Sequence, residues 1–232
     1  MSLTTGRGPL GPHPAGHFDK PVPSGVIYVE PFLRRVRGVK DGATVIDSEK
    51  ALLVHRPGVA PTFAFPAGDA TGIATKAEPA ARDHVRVEWD AVDTWLEEEE
   101  ELFMHPRNPY HRVDCVRTHR RLRVVCAGVV LVDTTTTVGV YETSLAPRLY
   151  VSPDHVLTEL LVPSSTMTYC PYKGTASYWS AVVDDDLRAD VAWSYEAPHP
   201  ECQVIAGHLS FDDTRVDMTT TLPTGETSFD RA

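Results

Sequence analysis

The chain has 232 residues, 42% of them hydrophobic, and a formal net charge of −10 at pH 7. That length and apolar content suit one large or two small globular domains and exclude a disordered chain. An acidic surface repels phosphate backbones, so nucleic acid is not expected as a partner.

The chain opens with "MSLTTGRGPLGPHPAGHFDKPVPSG", rich in Gly and Pro and without an apolar h-region. We read residues 1–32 as a flexible or draped N-terminal arm rather than a targeting signal. The longest apolar run, "VVCAGVVLV" at 124–132, has nine residues and is too short to span a bilayer as a helix. A soluble, cytoplasmic protein with no membrane partner is expected. Cys115, Cys126, Cys170 and Cys202 form no C-x-x-C pair. They read as reduced thiols, with no zinc site and no cofactor implied.

An internal repeat organises the rest of the chain. "RVRGVKDGATVIDSEKALLVHRPGVAPTFAF" (35–65) aligns with "RLRVVCAGVVLVDTTTTVGVYETSLAPRLYV" (121–151) at a constant offset of 86 residues without a gap. Arg35, Arg37, Gly42, Asp47 and Pro61 match Arg121, Arg123, Gly128, Asp133 and Pro147. Asp-Gly between apolar stretches favours a two-residue hairpin turn, and "TTTTVGVYE" has the β-branched alternation of a strand. Each copy therefore opens with two or three antiparallel strands. Pairing Val92-Asp93 with Val216-Asp217 raises the offset to 124, so the second copy carries about 38 residues that the first lacks.

At the end of the first copy, "DAVDTWLEEEEELF" predicts a helix over 90–103, capped by Asp90 and Asp93. Its apolar stripe is Val92, Trp95, Leu96, Leu102 and Phe103, and Glu97 to Glu101 face water. The linker after it gathers His105, Arg107, Tyr110, His111 and Arg112. Those groups suit an anion-binding rim, or an ordered connection whose arginines pair with acidic neighbours.

The extra block of the second copy starts with "CPYKGTASYW" (170–179) and reads as a hairpin. "SYWSAVV" pairs with "ADVAWSYE" across "DDDLR", with Val183 opposite Asp190 and Tyr178 opposite Tyr195. Tyr172, Tyr178, Trp179, Trp193 and Tyr195 form either an aromatic core or a stacking wall for a flat ligand. Lys173, next to aromatic residues, can lose solvation and act as a base or Schiff-base nucleophile at a lowered pKa, or hold an anion. His208 is the histidine assigned to act with it in acid–base work. Cys170 reads as a buried thiol, and Ser177, inside a strand, is a poor nucleophile.

Together, "CPYKGTASYW", "VAWSYE", "AGHLSF…VD" and "DAVDTWLEEEEELFMHPRNPYHRVD" resemble the domain-of-unknown-function 427 family from about residue 33 onward. The resemblance implies a two-copy member: a shortened first copy (33–104), a linker (105–117) and a complete second copy (118–232). It implies a mainly β fold of two tandem β-tent-like antiparallel domains, similar to the group that includes methionine sulfoxide reductase B. Relatives there bind zinc through paired C-x-x-C motifs that this chain lacks. The family also goes under a nucleotidyltransferase-like name. That chemistry needs carboxylates to hold metal ions, and the candidate is Asp184 to Asp186, which also reads as an exposed hairpin tip.

The expected function is small-molecule binding, anionic ligands included, in an enzyme or enzyme-like protein. Its pocket would be built from the second copy and the linker. A non-catalytic interaction module is the alternative, and the sequence leaves both catalysis and oligomeric state open.

Overall fold

The computed structural model describes residues 3–23 and 25–222. The chain forms two compact units, Met1–Arg112 with Thr143–Leu145, and Val113–Glu142 with Ala146–Ala232. Both are mainly β. No α-helix occurs among the described residues, only short 3-10 turns, and no helix there is long and apolar enough to cross a membrane.

In the first unit the strands are β1 (Tyr28–Pro31), β2 (Val36–Lys40), β3 (Ala43–Ser48), β4 (Leu52–His55), β5 (Thr62–Pro66), β6 (Lys76–Ala77), β7 (His84–Arg86), β8 (Thr94–Glu97) and β9 (Glu100–Leu102). They form two antiparallel sheets, in the orders β1-β4-β5-β7-β6 and β3-β2-β8-β9. The core includes Val36, Ile46, Leu53, Phe63, Phe65 and Trp95.

The second unit holds β10 (Val113–Thr118), β11 (Leu122–Cys126), β12 (Val129–Thr134), β13 (Thr137–Glu142), β14 (Arg148–Tyr150), β15 (Leu161–Cys170), β16 (Gly174–Val183), β17 (Asp186–Ser194), β18 (Leu209–Phe211) and β19 (Asp217–Thr220). Its sheets run β10-β13-β14, β12-β11-β19 and β15-β16-β17-β18. Leu122, Val124, Leu131, Val191 and Phe211 belong to one core. Val138, Val140, Tyr150, Tyr195 and Ile205 belong to a second.

The 86-residue offset recurs in the backbone. Val36 pairs with Ser48 in β2–β3, and Leu122 with Thr134 in β11–β12. Tyr28 pairs with His55, and Asp114 with Tyr141. The hairpin bulge falls between Gly38 and Val39 in one unit and between Val124 and Val125 in the other. Both turns have two positive-φ residues, Asp41-Gly42 and Ala127-Gly128, the conformation that matches the twist of a two-residue hairpin. A bidentate clasp closes each hairpin: Arg35 grips Asp47 at 2.7 and 2.6 Å, and Arg121 grips Asp133 at 2.8 and 2.7 Å. The guanidinium of Arg121, joined by that of Arg123, pulls the Asp133 carboxyl down to about 2.

The segment predicted as a helix is a β-hairpin. Residues Trp89–Ala91 make one 3-10 turn, then β8 pairs with β2 and β9 pairs with β8. Glu98, at φ +52, occupies the turn. The open edge of β2 supplies a row of backbone partners that outweighs the modest helix preference of Glu. Asp93 does not cap a helix; its carboxylate accepts from the Asp41 amide at 2.6 Å. Glu97 does not face water either. It is buried and ion-paired with Arg34.

The N-terminal arm drapes over the first unit. Thr4 and Thr5 are buried, and the Gly58 amide donates to the Thr4 carbonyl at 2.6 Å.

Candidate functional site

The stretch Cys170 to Gly174 closes the β15–β16 hairpin, with Cys170 opposite Gly174. Gly174 has φ +99, and a Cβ there would sit 3.4 Å from the Ala197 carbonyl, so a side chain would strain this turn. The His199 amide donates to the Lys173 carbonyl at 3.1 Å, tying the turn to the 3-10 segment Pro200–Ile205.

That geometry turns Lys173 inward, leaving the residue 9% exposed. Its ammonium pairs with the Glu142 carboxylate and lies 5.8 Å from the centre of the Tyr195 ring. Burial works against the charge, but Cys170, Glu142 and Tyr150 outweigh it, so the pKa is raised above the ordinary lysine value. The reading of Lys173 as an amine with a lowered pKa is therefore corrected. Desolvation without a counterion would lower the pKa, whereas here the carboxylate holds the proton in place. Around it, burial pushes Tyr150 up to about 12 and Cys202 up to about 12, and raises Cys115 and Tyr195. The phenols and these two thiols are thus protonated at neutral pH, leaving them poor bases or nucleophiles. The Sγ of Cys202 donates to the Tyr172 carbonyl at 3.8 Å. His208 does not join this group: its Nδ1 lies 3.1 Å from the Ala206 carbonyl, two residues back.

The aromatic residues of the hairpin divide between its two faces. Tyr178 pairs with Trp193, Trp179 with Ala192 and Val183 with Asp186. The expected pairing of Val183 with Asp190 is corrected. The turn is the two-residue Asp184-Asp185, both at positive φ, and a bulge between Trp179 and Ala181 absorbs the difference in register. Tyr178, Trp193 and Tyr195 pack in the cluster with Tyr150. Trp193 donates from Nε1 to the Tyr150 hydroxyl at 2.9 Å. Trp179, on the opposite face, packs against the other core. Asp184 to Asp186 lie at the exposed tip, where Asp186 pairs with Arg188 at 2.7 Å.

A cavity of about 180 Å³ opens on the Trp179 face. Pro153, Leu161 and Leu209 supply apolar wall, and Trp179, Ser194 and Glu196 supply the polar groups. The Trp179 Nε1–H is buried and has no acceptor. Ser194, itself 1% exposed, donates its hydroxyl to the exposed Glu196 carboxylate. Trp179 was expected in one wall with Tyr178 and Trp193; it borders this cavity, while they pack in the other cluster. Ser194 and Glu196 were not expected, since "WSYE" gives no sign that two polar residues frame a cavity.

Of the expected linker, residues 113–117 are instead part of β10 in the second unit, and 105–112 fold with the first. His105 borders a cavity there, and burial lowers its pKa. Arg107 donates to Glu100 at 2.9 Å. His111 lies in a turn, with its amide on the Asn108 carbonyl at 3.0 Å. The Tyr110 hydroxyl donates to Glu30 at 2.9 Å, beside His55, whose Nε2 lies 2.9 Å from the other Glu30 oxygen. His55 is fully buried and its Nδ1 has no partner. Sequence reading missed Glu30 and His55, because a single His closing the apolar "LLVH" carries no spacing signal.

A search of the curated proteins finds no relative of this chain. The model of one protein family does match, over residues 114–221. This range coincides with the second unit from β10 through β19. The sheets that hold Lys173 and the Trp179 cavity therefore lie within the stretch that matches the family described as Domain of unknown function (DUF427).

Proposed function

We propose that the protein is a cytoplasmic small-molecule-binding protein whose ligand enters the Trp179 cavity of the DUF427 domain. The observation that carries this reading is the buried Trp179 Nε1–H without an acceptor, on a residue that lines the cavity. A buried unsatisfied donor costs about 1–3 kcal/mol, which a ligand acceptor would offset. An engineered apolar cavity of about 150 Å³ holds benzene, so about 180 Å³ suits a ligand headgroup of one ring or a short branched chain. Glu196 favours a hydroxyl or amine donor on that ligand. The four free cysteines fit a reducing compartment.

On this reading Lys173 is a positioning residue. Its pair with Glu142 fixes the turn that starts β16, and β16 presents Trp179. The first unit, whose strands share the 86-residue offset but which lacks the β15–β17 block, is a shortened copy of the same fold.

Ligand-observed NMR with a library of small cyclic alcohols and amines tests the proposal. Hits should lose about tenfold in affinity in Trp179→Phe, which keeps the ring and removes the donor. Amine hits should weaken further in Glu196→Gln. Equal binding by the wild type and both variants, or no saturable hit, would overturn it.

A further inference from the structure

The first unit contains a larger cavity, of about 430 Å³, within the range usual for small-molecule sites. Its wall is aromatic. Phe65 and Trp95 stack with centroids 6.0 Å apart and planes 12° apart, and Trp95 and Trp89 stack at 5.0 Å and 17°. The three rings form a near-parallel column. Phe65 and Trp95 are buried, and Trp89, half-exposed, is its outer member. Trp89 and Trp95 both line the cavity, with Phe63 beside them. A fourth flat ring would continue the column at a favourable offset.

Two guanidinium groups border the same space, and they differ in commitment. Arg56 donates to Glu78 at 2.5 Å and to Thr62 at 2.9 Å. Arg86 has a buried Nε without a hydrogen-bond partner. The nearby carboxylate of Glu88, which also lines the cavity, is taken by Lys76 at 2.6 Å. Lys76 pairs directly with Arg86 across β6 and β7, so two like charges share one sheet face. Glu78 and Glu88 already offset part of the charge on this face, so the orphaned Nε–H of Arg86 is what an arriving anion would satisfy. His105 also lines the cavity; because burial lowers its pKa, it does not add a competing cation at neutral pH.

We propose that this cavity binds a planar aromatic anion, with its ring on Trp89 and its carboxylate or phosphate on Arg86. The site is independent of the Trp179 cavity and would give the first unit a binding role of its own.

The probes are naphthalene-2-carboxylate and its neutral amide, titrated into the full chain by calorimetry and tryptophan fluorescence. The acid should bind and quench, and the amide should bind about tenfold more weakly or worse, as expected for loss of a charge-assisted contact. Arg86→Met should remove the preference for the acid, with Arg86→Gln as the second variant should Met fail to fold. Trp89→Leu should weaken acid and amide alike. Trp179→Phe should leave both unchanged, which separates this site from the one in the DUF427 domain. Equal affinity for acid and amide in the wild type, an unaltered preference in both Arg86 variants, or no saturable binding of the acid would overturn the proposal.

Discussion

Lys173 keeps its charge while 9% exposed because a carboxylate and an aromatic face are already in place around it. Removing one member of a buried pair costs about 3–5 kcal/mol, since the other is left in a medium that solvates it poorly. Lys173→Met should therefore lower stability by roughly that amount in urea unfolding. Adding Glu142→Leu should recover part of the loss, and a single-variant loss below about 1 kcal/mol would refute this account. The pH dependence takes its sign from the raised pKa of Lys173. The stabilisation is complete below the ordinary lysine value and fades only as pH climbs through the higher folded one. The difference between wild type and variant should thus hold from neutral pH to about 10. Lys173 was legible as a singular residue from its setting between Tyr172 and Gly174. The sign of its shift was not, because Glu142 lies 31 residues earlier on β13.

Turn chemistry decides how strands register. Asp184-Asp185 holds two positive-φ residues at the β16–β17 tip, next to a third aspartate. Changing the pair to Asn-Gly should raise stability by about 0.5–1 kcal/mol, because both residues favour that backbone and two charges are removed. A urea midpoint that falls would contradict this. Asp41-Gly42 made its hairpin readable from sequence, as did the equivalent position at the 86-residue offset. The β16–β17 pairing was misread because the turn takes only Asp184-Asp185 and the extra residues of the bulge lie on β17 around Asp190, at φ +52, with no glycine to mark them. The Glu-rich segment after Trp95 was misread for another reason. Spacing within 90–103 fits a helix, and only the open edge of β2, more than fifty residues earlier, makes it a hairpin.

At the scale of the molecule, each unit has its own core, and the matched DUF427 stretch, apart from Thr143–Leu145, falls within the second. A fragment of residues 113–222 should therefore fold without the rest, giving a β-type far-UV spectrum and one cooperative melt. A fragment that stays unfolded would show that the second unit depends on the first. The 86-residue offset made the β2–β3 and β11–β12 hairpins visible in the sequence. Nothing in the sequence marks Thr143–Leu145 as a tongue that returns to the first unit, where the Thr143 hydroxyl accepts from the Arg112 amide at 2.9 Å.

The matching hairpins also bear on how the chain reaches its native state. The β2–β3 and β11–β12 hairpins share strand length, bulge position and an Arg–Asp clasp. While the chain is still unfolded, β8 and β19 are nearly interchangeable edges for either one. Backbone hydrogen bonding alone barely separates the right partner from the wrong one. Discrimination falls to the side chains, chiefly Trp95, which stacks on Phe65 and has no counterpart at Met218, its equivalent opposite Val124. Stacking of Trp95 on Phe65 would therefore favour β8 on β2 over β8 on β11 as the chain folds.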